Sequence, residues 1–254
     1  MSADMARPFV DRALAASPRA LGTLAVVVAL AVVASGYGVR FGAWDLRSGF
    51  AMLRGGAYAE VAIAVVALVL LLVPRTRARG VIALGIALVV AGIAGVVPLA
   101  WMQGARSLPP VNDITTDTAN PPAFVAILPL RANATVPATY AGNASADLQK
   151  QGYPDIAPVI VGDVPTAAFA NAMAVARGMG WIIVAADAIA GRIEATATTP
   201  WFGFRDDVVI RIAPEGRGSR IDVRSVARVG RGDFGTNAKR VREFSAALAS
   251  RSAR

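Results

Sequence analysis

Three apolar runs crowd the first hundred residues of this chain, and they constrain its architecture more than any other feature. Ala20–Val39, Ala57–Val73 and Gly80–Met102 are nearly free of charge, and each approaches the roughly 20 residues that a bilayer-crossing helix needs. Beyond Arg106 the pattern is that of a soluble domain. The expectation is therefore a membrane domain over residues 1–105, built as a bundle of three transmembrane helices, and a soluble domain over 106–254. With 55% hydrophobic residues in 254, the chain is too apolar for an ordinary globular protein. The first run exceeds the 7–15 apolar residues usual in a signal peptide, which predicts an uncleaved anchor. Glu60 falls in the first turn of the second run and is expected to sit at the interface as a boundary residue.

Basic residues set the expected orientation. Arg7, Arg12 and Arg19 precede the first run, and Arg75, Arg77 and Arg79 crowd the turn between the second and third. Arg40, Arg47 and Arg54 are spread more thinly along the other loop. The denser clusters belong inside, which predicts a cytoplasmic N-terminus, an extracytoplasmic C-terminal domain and a place in the plasma (inner) membrane. The net charge is +9. Much of it lies in the tail, at Arg217, Arg220, Arg224, Arg228, Arg231, Lys239, Arg240, Arg242, Arg251 and Arg254. At a bilayer surface the expected counter-charge is anionic lipid or envelope polymer rather than nucleic acid. A solvated basic surface without a partner stays open beside it.

Absence of residue types removes whole classes of chemistry. The chain has no His and no Cys, so Ser–His–Asp and Cys–His catalysis, the usual zinc sites and redox dithiols are excluded. No Walker A or dinucleotide fingerprint occurs, and no cofactor is expected. The oxygen-rich stretch from Asn112 to Asn120 lacks the glycine and final glutamate of a calcium loop, so no metal site is expected.

The soluble part reads as α+β. Ala83, Ala87, Ala91 and Gly95 first place a small residue every fourth position on the third run, suited to close helix packing. Residues 108–124 then form a Pro- and Asn/Asp-rich segment with no helical period, and 131–162 read as irregular surface. Asp163 and Pro165 open a helix whose apolar face is Phe169, Met173, Ala176 and Met179. Four strands follow, over 181–186, 192–199, 207–212 and 221–228, three of them alternating apolar with polar residues. A last helix, 236–250, turns Val241, Phe244 and Leu248 inward and Lys239, Arg240, Arg242 and Glu243 outward. The prediction is a two-layer domain with a roughly four-stranded antiparallel sheet and two helices on one face.

Strand alternation gathers Glu194, Asp207, Arg211, Asp222, Arg224 and Arg228 on the other sheet face. Mutual ion pairs on a wet surface are one reading; a recognition surface in which Arg224 and Arg228, with Arg211, grip a phosphate or carboxylate is the other. Asp206 and Asp207 are adjacent on a strand and point to opposite faces, so they make no acid pair. Gly230, Gly232 and Gly235 lead from a basic strand into a helix N-terminus, near Asn237, where an anion can sit. Capping of the same amides by Asp233 or Thr236 is the competing reading. Trp201, Phe202 and Phe204 sit at a hairpin tip, either closing the core or dipping into the bilayer interface.

The strings VNDITTDTANPPAF, GWIIVAADAIAGRIEATATT, GFRDDVVIRI and IDVRSVARVGRGDFGTNAKR, in that order, resemble the domain of unknown function 1499 family across about residues 108–248. The resemblance implies a bacterial-type protein in which membrane spans commonly precede the domain. By that likeness Asn112, Asp113, Asp117, Pro121, Pro122, Phe124, Asp207, Arg224, Ser225, Arg228, Gly230, Asp233, Gly235 and Asn237 occupy motif positions, and Ala227 stands where a Ser is expected. The family brings no reaction with it. The functional expectation is a non-enzymatic domain that binds an anionic envelope component. A His-free, carboxylate-assisted hydrolase or transferase on lipid or glycan, using Glu194 or Asp207, and a protein-interaction module stay open.

Overall fold

The computed structural model describes residues 3–230 and 232–253, and side chains other than those of 3–16 and 105. Arg231 and Arg254, and the side chains of Arg7 and Arg12, lie outside the described residues. The chain divides into two compact units, Met1–Gly104 with Trp201–Gly203, and Ala105–Pro200 with Phe204–Arg254.

The first unit is helical. It contains α1 (Ala3–Arg40), α2 (Leu46–Leu72) and a third rod made of α3 (Pro74–Ala91), a π-helical turn (Gly92–Val96) and α4 (Val97–Arg106). Ser17–Arg40, Leu46–Leu72 and Pro74–Gly104 are long and apolar enough to cross a membrane, with mean hydropathies of 2.1, 2.2 and 2.7. Side-chain size is distributed as lipid demands. Ala25, Ala57, Ala67, Ala87 and Ala91 are buried in the interior, while Leu30, Leu68, Leu72, Ile82 and Ile93 point outward. Small residues let the backbones approach, and large apolar ones form the outer surface, as a lipid-facing bundle requires.

Both later helices begin earlier than their apolar runs. Asp45 caps α2 by accepting a hydrogen bond from the Ser48 amide at 2.8 Å, and Pro74 opens α3 at a position where its missing N–H costs nothing. The early start of α2 corrects the boundary reading of Glu60. The residue lies near the middle of α2, fully buried against the third rod.

The second unit is built on a six-stranded, wholly antiparallel sheet. Its strands are β1 (Asp113–Thr115), β2 (Val159–Val161), β3 (Ile182–Asp187), β4 (Arg192–Thr198), β5 (Arg205–Glu215) and β6 (Gly218–Ala227). The order is β1-β6-β5-β4-β3, and β2 also pairs with β6. β3 to β6 are the four strands expected from the sequence. The two further strands are three residues each, too short to show a period, and they lie end to end on the outer edge of β6. The stretch expected to be irregular also contains α5 (Asn143–Gly152). Its Gln149 carries strand-like hydrogen bonding to Thr115, at 3.0 Å from the amide and 2.7 Å to the carbonyl.

α6 (Pro165–Gly178) and α7 (Thr236–Ser252) cover one face of the sheet. Alternation places Ile193, Ala195, Val208, Ile210, Ile221 and Val223 beneath them. α6 presents Ala168, Ala172, Val175 and Ala176, with Phe169, Met173 and Met179 at the margin, because small side chains let a helix sit close to the sheet. Trp181 stacks on Phe244 of α7, ring centroids 5.3 Å apart. The other sheet face is not left to water. Phe124, Ile127, Val136 and Ala138 lie over Val209 and Val226, so residues 116–140 form an irregular strap and a third layer.

Candidate functional site

Under the strap lies a row of ion pairs. The charged residues of β4, β5 and β6 alternate onto one face, as the period of two requires, but they are buried there rather than wet. Glu194, Asp207, Asp222 and Arg224 are at most 2% exposed. Burial of charge at this depth is tolerated only where partners are complete, and none of these four leaves a buried side-chain nitrogen or oxygen unpartnered.

Arg224 donates to Asp113 in a bidentate pair at 2.9 and 2.7 Å, to the carbonyls of Pro122 and Ala138, and lies over the rings of Phe124 and Tyr140. Arg228 grips Asp207 at 2.9 and 2.8 Å and donates to the Leu130 carbonyl. Asp207 also accepts from Arg131 at 2.6 Å and from the Thr196 hydroxyl at 2.8 Å. Glu194 accepts from the amides of Val125, Ala126 and Ile127 at 3.0–3.1 Å, a turn of backbone donors closed around one carboxylate. The carboxylates that a His-free hydrolase would use are thus spent on internal partners. So are the guanidinium groups of Arg224 and Arg228.

On the helix face a second buried network forms. Asp206 points there, opposite to Asp207, and pairs with Arg240 at 2.6 Å. Arg240 also donates to Asn237 and Ser225, and Ser225 donates to Asn237 at 2.6 Å. Asn237 in turn donates to the Asn112 carbonyl, and the Asn112 amide donates to the Gly230 carbonyl at 2.6 Å. Arg240, read from the sequence as outward, is buried. Its signal was available: it falls three residues after Asn237 and beside Val241, on the inward stripe of α7. Arg131, read as part of an irregular surface, is likewise buried.

The turn into α7 is capped from within. Asp233 accepts from the amides of Gly235 and Asn237 at 2.9 and 2.5 Å. Burial pushes the Asp233 carboxyl above its usual range, against the pull of those two amides. Gly235, at φ +76°, occupies the left-handed conformation that the turn needs.

One part of the strapped face remains open. Asn120, Pro121, Pro122, Ala123, Val125, Ala190, Arg192, Val209 and Arg211 line a cleft of about 250 Å³. Arg192 and Arg211 are direct cross-strand partners on β4 and β5, and their side chains are 30% and 28% exposed. Arg211 pairs with Asp222 and Asp117 through Nε and Nη2. Arg192 holds Glu194 through Nε at 3.1 Å, with Asp187 at 3.9 Å from Nη2. Both Nη groups of Arg192, and Nη1 of Arg211, make no hydrogen bond among the described residues. Like charges opposed across strands destabilise a sheet, and this pair lines the cleft. Asp117 meanwhile holds the strap, accepting from the amides of Ala119 and Asn120 as well as from Arg211 and Arg220. Arg192 was legible as a strand residue but not as a site residue, because its partner across the sheet is set by register.

The chain belongs to the family described as "Protein of unknown function (DUF1499)", whose model matches residues 113–248. No curated protein matches the chain.

Proposed function

We propose that this member of the DUF1499 family is a membrane-anchored, non-enzymatic binding module whose extracytoplasmic domain holds an anionic group of a cell-envelope component. The anion sits in the cleft at Arg192 and Arg211. Three apolar helices support the anchoring. The basic turn between the second and third spans supports the orientation. The observation that carries the binding reading is the opposed Arg192–Arg211 pair, with guanidinium nitrogens that make no hydrogen bond among the described residues, lining the cleft. A phosphate or carboxylate there completes the donors bidentately and removes the repulsion between them. Arg224 and Arg228 act one step away, as the pairs that hold the strap and so form the cleft wall.

Native mass spectrometry of the full chain, extracted gently from its own membranes, tests the reading. The parent is expected to retain an anionic small-molecule or lipid mass that the double variant Arg192→Gln, Arg211→Gln loses while staying folded. Equal retention by both proteins, or an empty parent, would sink it.

A further inference from the structure

Glu60 has no role in that binding site, and among the described carboxylates it alone is buried with neither oxygen hydrogen-bonded. It is fully buried near the middle of α2. Neither Oε1 nor Oε2 has a hydrogen-bond partner among the described residues. The elements packed on α2 supply no counter-charge. From Ala20 to Val39 in α1, and from Gly80 to Gly104 in the third rod, there is no Asp, Glu, Lys or Arg. The remaining titratable side chains of the spans face outward: Tyr37 and Tyr58 are exposed, as are Arg47 and Arg54 on α2 itself and the arginines at the span ends.

The second observation is the backbone opposite. The third rod departs from α-helical geometry at Gly92–Val96, a π-helical turn of the kind that recurs at functional positions. Gly95 in that turn lies so close to Glu60 that an added Cβ would stand 3.1 Å from the Glu60 Cβ and 3.0 Å from the Ala57 carbonyl oxygen. An ionisable side chain buried in a membrane bundle marks a functional position by default. This one faces the π-helical turn of the third span.

We propose that Glu60 is a proton-binding site, taking up and releasing one proton from the aqueous phase and thereby setting how closely α2 packs on the Gly92–Val96 turn. The ligand class follows from donor chemistry. A metal cation requires several oxygen ligands, and no group of three acidic or other metal-ligating side chains exists among the described residues. A proton needs only one oxygen. With the proton on, Glu60 is a neutral acid that fits an apolar interior. With it off, an unpaired carboxylate in the same place is strongly disfavoured, and the α2 contact with the turn loosens until water reaches it. Only the O–H bond of the carboxyl group forms and breaks.

The test uses the full chain in lipid nanodiscs. Dicyclohexylcarbodiimide, an apolar reagent, modifies carboxyl groups that are protonated in an apolar phase. Peptide mapping should find the adduct on Glu60 at neutral pH, falling several-fold in alkaline buffer, and none in Glu60→Gln. Because the chain has no cysteine, spin labels at Val65→Cys and Val97→Cys report the α2 contact directly. Their separation should widen with rising pH in the parent and stay constant when Glu60→Gln is added. Absence of adduct at every pH overturns the proposal, as does a label separation that ignores pH. Protection by sodium at constant pH also overturns it, since that assigns the site to a metal cation.

Discussion

Arg224 spends two nitrogens on Asp113, donates to two strap carbonyls and lies between two rings, so its replacement acts through folding. Arg224→Ala leaves the Asp113 carboxylate buried and unpaired, a loss of about 3–5 kcal/mol. Hydrogen exchange of the β6 amides should show this loss in the full chain whether or not a ligand is bound. The exposed pair of Arg242 with Asp155, at 2.5 and 2.6 Å, offers the contrast: Arg242→Ala should cost less than about 1 kcal/mol. Asp233 gives a pH dependence of definite sign. Its folded carboxyl is raised by burial, so the folded state keeps a proton that the unfolded chain releases near about pH 3.9. Its contribution is therefore complete below that pH and is lost as pH rises through the raised value. Denaturant unfolding of the full chain across the acidic range should show the decline, and Asp233→Asn should flatten it. Of these residues, only the opposed directions of Asp206 and Asp207 and the cap by Asp233 could be argued from spacing. The partners of Arg224 lie 86–111 positions away in sequence, and Arg228 adds to its near partner Asp207 a strap carbonyl 98 positions away, so no local pattern announces the strap contacts.

At the scale of elements, the alternating strands were legible because one face is apolar without interruption: Ile193, Ala195 and Ala197 on β4, then Val208, Ile210 and Ile212 on β5. The strap was not, since Phe124, Ile127 and Val136 follow no period, and its fit depends on charges beneath it that look like ordinary surface. The β3–β4 turn tests how tightly these elements are set. Gly191 has φ +60°, and a Cβ there would come within 2.2 Å of the Ile212 carbonyl oxygen. The Ile212 amide in turn donates to the Gly191 carbonyl, at 2.7 Å. Gly191→Ala combines backbone strain of about 1–3 kcal/mol with a clash against a neighbouring strand. Thermal unfolding should drop by more than a Gly→Ala change at the exposed Gly104 would cause. The same turn carries Arg192 into the cleft, so loss of anion retention is expected along with the loss of stability.

The whole molecule joins a small-residue membrane bundle to a sheet covered on both faces. The membrane spans were readable from composition alone; their true lengths were not, because caps such as Asp45 extend helices past the apolar runs. Orientation is the property most directly checked at this scale. Glu215→Cys puts a lone thiol at the exposed β5–β6 turn, and a membrane-impermeant maleimide should label it in spheroplasts without permeabilisation. Labelling only after lysis would reverse the proposed orientation. The sheet's edge pairing has one more consequence, for how the protein is made. β1 is the first strand to leave the ribosome and its partner β6 the last, with Asp113 and Arg224 standing 111 positions apart. At translation rates of about 5–20 residues per second, the nascent domain waits roughly 5–20 s for its final strand. Through that interval β1 has no strand beside it, and the β3–β5 hairpins, complete only once Glu215 is made, still wait for β6 and for the cover of α7.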